Sequence, residues 1–295
     1  MATRRDQIIE QIQRAIDDVP DRLATQAKRA QRRAFESIIE QLARLRLDPE
    51  GNVITSMANF ALERQLVEQL RLAYLSPEYQ EAVREFVNQM DTGAALTNRL
   101  FSVITGGDIS ASTTAQAVLQ ASKDMAARRL TVGAVDFAQD SFEQILKNAI
   151  GSADTFPNLV KSIRENMLGT PEFEGRMVRY AKQNAKDIFS VAESEYMNKV
   201  STDLGFEFYE YAGVLTSDSR KFCQARQNQI YHAREVEEWA SLDWQGKNRA
   251  TTAQTIWTYR GGYNCNHVLV PVATEDVPES VIERATAAGY YTPEE

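Results

Sequence analysis

Both cysteines and both histidines of this chain lie in one C-terminal window. They are Cys223, His232, Cys265 and His267, in a chain of 295 residues. Clustering of these residue types is typical of a disulfide bond or a metal site. Cys265 and His267 are two positions apart, so on an extended strand both side chains face the same side. The window is therefore the first place to look for chemistry.

Three states of this window stay open from the sequence. A structural zinc ion needs four tetrahedral ligands, and Cys223, Cys265 and His267 supply three, with His232 or Asp218 as the fourth. The spacing matches no standard zinc finger. The alternatives are reduced, packed cysteines with a hydrogen-bonded histidine, and a Cys223–Cys265 disulfide. A cytoplasmic chain more often keeps two cysteines reduced or metal-bound than linked.

Catalysis is the competing interpretation of the same residues. A cysteine and a histidine can form a nucleophile and base, and Asn264-x-x-His267 resembles part of a nuclease metal site. An active site also needs an orienting group and a substrate cleft, and neither histidine adjoins a recognisable catalytic motif. We expect no enzymatic activity. A metal- or thiol-dependent hydrolase or nuclease that uses Cys223, Cys265 and His267 is kept as the alternative.

Asp218 and Arg220 lie in the loop that precedes Cys223. An aspartate after a strand caps the next turn through its carboxylate, and an arginine can hold backbone carbonyls or an acidic group. We expect structural roles for both residues. The three tryptophans are expected in the core.

Composition indicates a soluble globular protein: 43% of residues are hydrophobic and 25% charged. The length favours two domains. No apolar run approaches the roughly 20 residues of a membrane span, and the N-terminus leads into an amphipathic helix, so we expect a cytoplasmic chain. The net charge of −8 argues against a nucleic-acid-binding surface over the whole protein.

One basic group stands out against this acidic balance. Lys28, Arg29, Arg32 and Arg33 share a helix face through their i, i+4 spacing. This face suits DNA phosphates or an acidic partner, or is simply a solvated helix surface.

The elements that must position these residues fall into two types. Apolar periodicity predicts successive helices to about residue 200. We predict helix ends at Asp17–Pro20, at 48–52, at Asp91–Gly93, at Gly133 and at 151–154, and helix starts at Pro77, after Ser112–Thr113 and at Thr170–Pro171.

Beyond Gly205 the pattern becomes that of strands. We predict strands at Phe206–Leu215, Thr255–Tyr259 and His267–Val272, with short helices from His232–Ala233 and over 278–288. The fold class is mainly α with a small α+β C-terminal domain, in which a short antiparallel sheet packs with helices. We expect three regions: 1–170 as helical partner-binding arms, 171–275 as the α+β domain, and 276–295 as a C-terminal helix and tail.

Residues 171–272 resemble the Mu F-like minor head proteins of tailed bacteriophages, also described as head morphogenesis proteins. The family pattern is a long helix, a strand that ends in glycine, T-x-D-x-R-x-x-C, an aromatic segment, a tryptophan, and a final cysteine strand with proline. The matching residues are Gly213, Thr216, Asp218, Arg220, Cys223, Ile230, Tyr231, Trp239, Cys265, His267 and Pro271. Asn266 replaces an arginine that is frequent in the family, and His232 has no counterpart.

The resemblance implies a non-catalytic virion protein. Such proteins associate with the portal and with other head or neck proteins, in the head interior or the neck, after assembly in the host cytoplasm. Contact with packaged or ejected DNA and homo-oligomers in the virion belong to the same expectation. No cofactor is implied beyond the candidate structural zinc.

Overall fold

The computed structural model describes residues 3–263, 265 and 267–293. It is 68% helical and has one small antiparallel sheet, so the predicted fold class is confirmed. The helices and strands in chain order are α1 (Arg4–Leu42), α2 (Met57–Tyr74), α3 (Pro77–Thr105), α4 (Thr113–Arg128), α5 (Ala134–Ser152), α6 (Phe156–Leu168), α7 (Arg176–Asp203), β1 (Phe208–Ala212), α8 (Lys221–Gln224), β2 (Ile230–His232), α9 (Ala233–Glu238), α10 (Ile256–Tyr259), β3 (Val268–Val272) and α11 (Glu279–Ala287). Within these residues, no helix is both long and apolar enough to cross a bilayer.

The chain divides into two compact units whose segments alternate in sequence. One unit consists of Met1–Asp18, Asn88–Asp124 and Lys186–Glu295, and the other of Val19–Val87 and Met125–Ala185. The three predicted regions were consecutive in sequence instead, with boundaries at 170 and 275. The roles given to those regions, such as partner-binding arms for 1–170, stay a prediction.

The second unit is helical, and a buried asparagine fixes its first connection. Asn59, in the first turn of α2, accepts a hydrogen bond from the Arg46 backbone N–H and donates to the carbonyls of Arg46 and Ile54. The predicted turn at 48–52 is confirmed, since the Asp48 carboxylate accepts hydrogen bonds from the backbone and side chain of Asn52. These bonds satisfy polar groups that a tight buried connection otherwise leaves unpaired.

The first unit contains the sheet, whose strand order is β2-β1-β3 with both pairs antiparallel. Because side chains alternate along a strand, β1 supplies both of its faces to a core. Tyr209 and Tyr211 pack with Phe222, Trp239 and other apolar residues on one face. Phe208 packs on the other face with β3 and α11. Burial on both faces makes β1 the centre of this unit.

Two predicted helix ends are wrong, because packing overrides the local signal. Pro20 lies inside α1, which continues to Leu42, and the buried residues Val19 and Leu23 extend the apolar stripe past it. Asp91–Gly93 lies inside α3. A side-chain Cβ on Gly93 would lie 2.5 Å from Glu193 Oε2, so this glycine permits close helix packing instead of ending a helix.

Gly133 also marks close packing. One π-helical turn, Arg129–Gly133, joins α4 to α5, and a Cβ at Gly133 would lie 2.7 Å from Tyr180 Oη. The helix predicted from Thr170–Pro171 begins at Arg176. The predicted helix start at Pro77 is confirmed, and α4 begins at Thr113, next to the predicted start. In both cases the preceding serine, Ser76 or Ser112, caps the helix, since its hydroxyl accepts a hydrogen bond from the backbone N–H three residues later.

The prediction for Thr255–Tyr259 is wrong, since this segment forms the short helix α10. Thr252 and Thr255 exchange side-chain to backbone hydrogen bonds, which start a helical turn and bury Ile256 and Trp257. A short apolar run does not distinguish strand from helix by itself. The true second strand, β2, has three residues and carries too little pattern to be recognised.

Candidate metal centre

The pairing of β1 with β3 creates the candidate site. In this register Ala212 lies opposite Val268, so the loop after β1 lies next to the residues that precede β3. The loop carries α8 and with it Cys223, while Cys265 and His267 directly precede β3. Two antiparallel strands therefore bring together residues more than forty positions apart in the sequence.

The three predicted ligands meet in a buried cluster. Cys223 Sγ and Cys265 Sγ are 4.0 Å apart, and Cys265 Sγ lies 3.7 Å from His267 Nδ1. The Sγ atoms and a ring nitrogen of His267 all lie within 4.8 Å of one another. The relative exposures are 3%, 7% and 3%. Both cysteines are free, so the structure contains no Cys223–Cys265 disulfide.

Tyr211 completes the cluster and was missed by the sequence analysis. Its hydroxyl lies 3.4 Å from Cys223 Sγ and 3.3 Å from Cys265 Sγ. Its ring stacks on His267, with centroids 4.8 Å apart and planes inclined by 12°. Both Tyr209 and Tyr211 lie opposite β3, and only the register distinguishes them: Tyr211 pairs with Leu269, nearer the start of β3, whereas Tyr209 pairs with Pro271.

Two glycines permit this packing. A Cβ on Gly261 would lie 2.6 Å and 2.7 Å from the two sulfurs and 2.8 Å from Tyr211 Oη. A Cβ on Gly213 would lie 2.5 Å from His267 Cδ2. Gly213 is one of the residues on which the family resemblance rests, and its position explains why a side chain is excluded there.

Arg220 holds backbone carbonyls, as predicted, whereas the hydrogen bond found for the Asp218 carboxylate is with a hydroxyl earlier in its own loop, not with the turn that follows. The Arg220 guanidinium donates to the carbonyls of Tyr263 at 2.6 Å and Gly261 at 3.3 Å, and so holds the turn before Cys265. Asp218 Oδ1 accepts a hydrogen bond from Thr216 Oγ1 at 2.6 Å. This bond lowers the pKa of the exposed Asp218 carboxyl and keeps it ionised.

A second arginine, Arg260, is fully inside the unit and was not predicted as part of the site. Its Nη2 donates to Ser190 Oγ at 2.5 Å and to the Ser190 carbonyl at 3.3 Å. Its φ of 45° is rare for a residue with a side chain. The buried hydrogen bonds stabilise this conformation and place a positive charge near Cys265, whose pKa it helps to lower.

The two sulfurs act as a coupled pair. The hydrogen bond between them lowers the pKa of Cys265 well below its ordinary range and, together with burial, raises the pKa of Cys223. A further contact with His267 also lowers the pKa of Cys265. The geometry thus favours a thiolate on Cys265 and a thiol on Cys223.

His232 does not join the cluster. It precedes α9 as its N-cap, where Nδ1 accepts the Arg234 backbone N–H and the Glu235 carboxylate accepts the His232 backbone N–H. Its ring contacts Phe208 and Tyr290, and burial lowers its pKa. The candidate role of His232 as a fourth ligand is therefore wrong, because β2 carries it away from the Cys-His cluster.

An open cavity of about 620 Å³ adjoins the cluster. Its lining includes Cys223, Cys265 and His267, together with the predicted motif residues Asp218 and Arg220. The cluster is therefore buried at the floor of a polar recess. Asn264 and Asn266, the latter at the family's arginine position, lie outside the described residues.

The basic group lies elsewhere, on the exposed surface of α1. Lys28, Arg29, Arg32 and Arg33 are all exposed, as a solvated helix face requires. Arg33 Nη1 pairs with Glu78 Oε1 at 3.0 Å, which compensates part of this positive charge.

Comparison with protein-family models, with curated proteins and with solved structures gave no match for this chain.

Proposed function

We propose that this chain is a non-catalytic structural protein of a tailed-bacteriophage head, a minor head protein that associates with the portal. One observation carries the proposal: spaced residues of the family pattern interlock around one turn. Gly213 admits the His267 ring, and Arg220 holds the turn before Cys265. The residues that match the family pattern thus make packing contacts around this turn, which supports a structural module for assembly.

In this proposal the sheet-containing unit is the rigid module. Its central strand is buried on both faces, in one core with Phe222 and Trp239 and in another with Val272 and Val281. The N-terminal helices provide the arms that bind the portal and other head or neck proteins. The protein assembles in the host cytoplasm and resides in the virion, where it forms homo-oligomers or contacts the packaged DNA.

The thiol-hydrolase alternative has one observation in its favour, the recess above Cys265 and His267. A cysteine-histidine pair needs an orienting group for catalysis, and the described residues supply none to His267. Among the described residues, no hydrogen-bond partner of the buried His267 Nε2 is found. A structural role of the pair is thus the better supported proposal.

The decisive experiment counts this protein in purified particles. Density-purified virions from the phage or prophage that encodes the chain are quantified by mass spectrometry with isotope-labelled peptides, using the portal protein as the internal standard. Copies at or near the portal number in intact heads support the proposal. Absence from particles, together with abundance in the lysate, overturns it and favours the enzyme.

DNA contact is tested separately on the purified protein. If the basic face binds packaged DNA, affinity falls steeply with salt. Replacement of Lys28, Arg29, Arg32 and Arg33 by glutamine then abolishes binding. The matched control neutralises Arg4, Arg14, Arg44 and Arg46, which are also exposed on or next to α1. Equal loss in both quadruple variants contradicts a specific role for the predicted face.

A further inference from the structure

We infer that Cys223 Sγ, Cys265 Sγ and His267 Nδ1 bind one divalent ion of the zinc class, with the fourth coordination position directed to the recess. The inference concerns the chemistry of this site and holds whether or not the protein is a virion component. It rests on the spacing of three donor atoms that the fold already brings together.

The observed spacings fit the edges of a zinc tetrahedron. Zn–S bonds of about 2.3 Å and Zn–N bonds of about 2.0 Å place two sulfurs about 3.8 Å apart and a sulfur and a nitrogen about 3.5 Å apart. Here the two sulfurs are 4.0 Å apart and Cys265 Sγ is 3.7 Å from His267 Nδ1, while all three ligand atoms lie within 4.8 Å of one another. A disulfide needs an S–S distance of about 2.0 Å, so the sulfurs would have to approach each other by about 2 Å.

The donor set favours a soft cation, since two buried sulfurs and an imidazole nitrogen lie within 4.8 Å of one another. Two thiolates and a neutral imidazole balance the charge of a divalent ion. Soft thiolate ligands select zinc-class metals over magnesium or calcium.

The supporting groups hold the ligands in place. Stacking on Tyr211 orients the His267 ring, and the Tyr211 hydroxyl contacts both sulfurs. The absent side chain of Gly261 leaves the space beside the two sulfurs open. Such supporting contacts commonly alter metal affinity by about 10- to 100-fold. The described residues supply three ligands and the recess adjoins them, so the fourth position is accessible to a water molecule or to a group from a partner.

The test begins with the full chain, purified under reducing conditions. The chelator-treated protein is titrated with Zn²⁺ against a competing indicator, and with Co²⁺ as a spectroscopic probe. We expect one equivalent of either ion and, for Co²⁺, sulfur-to-cobalt charge-transfer bands with the intense visible bands of a tetrahedral site. Absence of saturable binding at one equivalent by the folded protein overturns the inference.

Variants then locate the site. Cys223→Ser, Cys265→Ser and His267→Gln are each expected to weaken Zn²⁺ binding by at least about 100-fold, more than a typical supporting contact contributes. His232→Gln, which removes the other histidine, is the matched control and is expected to retain one equivalent. Equal loss in His232→Gln and His267→Gln contradicts the assignment.

A measurement on the unmodified chain remains informative if the cysteine variants do not fold. Alkylation of the thiols is followed by intact mass, with and without one equivalent of Zn²⁺. Protection of both cysteines by Zn²⁺ supports the site. Equal alkylation in both samples overturns it. So does an intact mass two hydrogens below that of the reduced chain, which shows a disulfide in the folded protein.

Discussion

The guanidinium of Arg260 and the hydroxyl of Ser190 form a buried hydrogen bond of 2.5 Å between α7 and the turn that leads to Cys265. Both residues belong to the sheet-containing unit, and Arg260 is 2% exposed. This bond anchors the turn to α7. Arg220, which lines the recess, donates to the Gly261 and Tyr263 carbonyls of the same turn. Two arginines therefore hold the turn that carries Cys265: Arg260 is buried, and Arg220 lines the open recess.

Ser190→Ala is expected to destabilise the protein, because the buried guanidinium loses an acceptor that no water replaces. The expected loss is about 1–3 kcal/mol in the free energy of unfolding, measured by denaturant titration. Ser194→Ala is the matched control, one helical turn further on, since among the described residues its hydroxyl donates to the Ser190 carbonyl and accepts no hydrogen bond from Arg260. Equal losses in the two variants contradict a specific role for the arginine contact.

Gly213→Ala is expected to cost at least about 1–3 kcal/mol, the usual cost of overpacking a core. The added Cβ would lie 2.5 Å from His267 Cδ2, and the ring cannot move without leaving its stack on Tyr211. Gly107→Ala serves as the control in the same unit, because a Cβ there meets no atom within 4 Å. Thermal and denaturant unfolding of both variants provide the comparison. A Gly213→Ala protein as stable as the control contradicts this packing.

Stability is expected to fall as pH rises from about 4.5 to about 7 through the contribution of Glu193. Burial raises the pKa of this carboxyl from an ordinary 4.5 to about 7, against the opposing effects of Thr97 and Arg260. In that interval the unfolded chain releases a proton that the folded chain retains, so the slope of stability against pH is negative. The shift corresponds to about 3 kcal/mol.

Glu193→Gln is expected to remove this pH dependence, because an amide cannot titrate. The measurement is the free energy of unfolding at about pH 5 and about pH 8 for both proteins, on either side of the shifted pKa. Glu283→Gln, an exposed residue on α11, controls for the loss of one carboxylate. If Glu193→Gln keeps the full difference between the two pH values, another group causes the dependence.

Arg220→Lys is expected to loosen the turn before Cys265 even though the charge is retained. A lysine ammonium cannot donate to the Gly261 and Tyr263 carbonyls in the forked geometry of a guanidinium. We expect a stability loss of about 1 kcal/mol and faster alkylation of both cysteines in the metal-free protein. Arg234→Lys, at an exposed position on α9, is expected to leave the alkylation rate unchanged. An unchanged alkylation rate in Arg220→Lys contradicts the role of the Arg220 hydrogen bonds in holding the turn.

Local patterns in the sequence were sufficient to predict the fold class and several boundaries. The caps at Ser76 and Ser112, the turn at 48–52, the strand around Tyr209 and the strand that contains Pro271 all follow from residue preferences within a few positions. The sequence also pointed to Cys223, Cys265 and His267 as candidates for one shared site, because grouped cysteines and histidines commonly share a site, but it left their convergence open.

The errors share a physical cause, which is that tertiary packing decides between local alternatives. Glycine signals a break in sequence, yet Gly93 lies inside the continuous helix α3, where the Glu193 side chain approaches closely. Pro20 is tolerated within a long helix whose apolar stripe continues beyond it. Thr255–Tyr259 has strand-like residues but begins a helical turn through Thr252.

The sequence by itself thus determined a mainly helical chain with a small α+β region and a window that contains both cysteines, because periodicity and composition are local properties. Only the tertiary structure decided which residues complete that window. The β1–β3 register brings Tyr211 to the sulfurs, β2 directs His232 to a helix cap, and Arg260 reaches α7. These outcomes depend on strand pairing and burial between distant segments, for which neighbouring residues carry no signal.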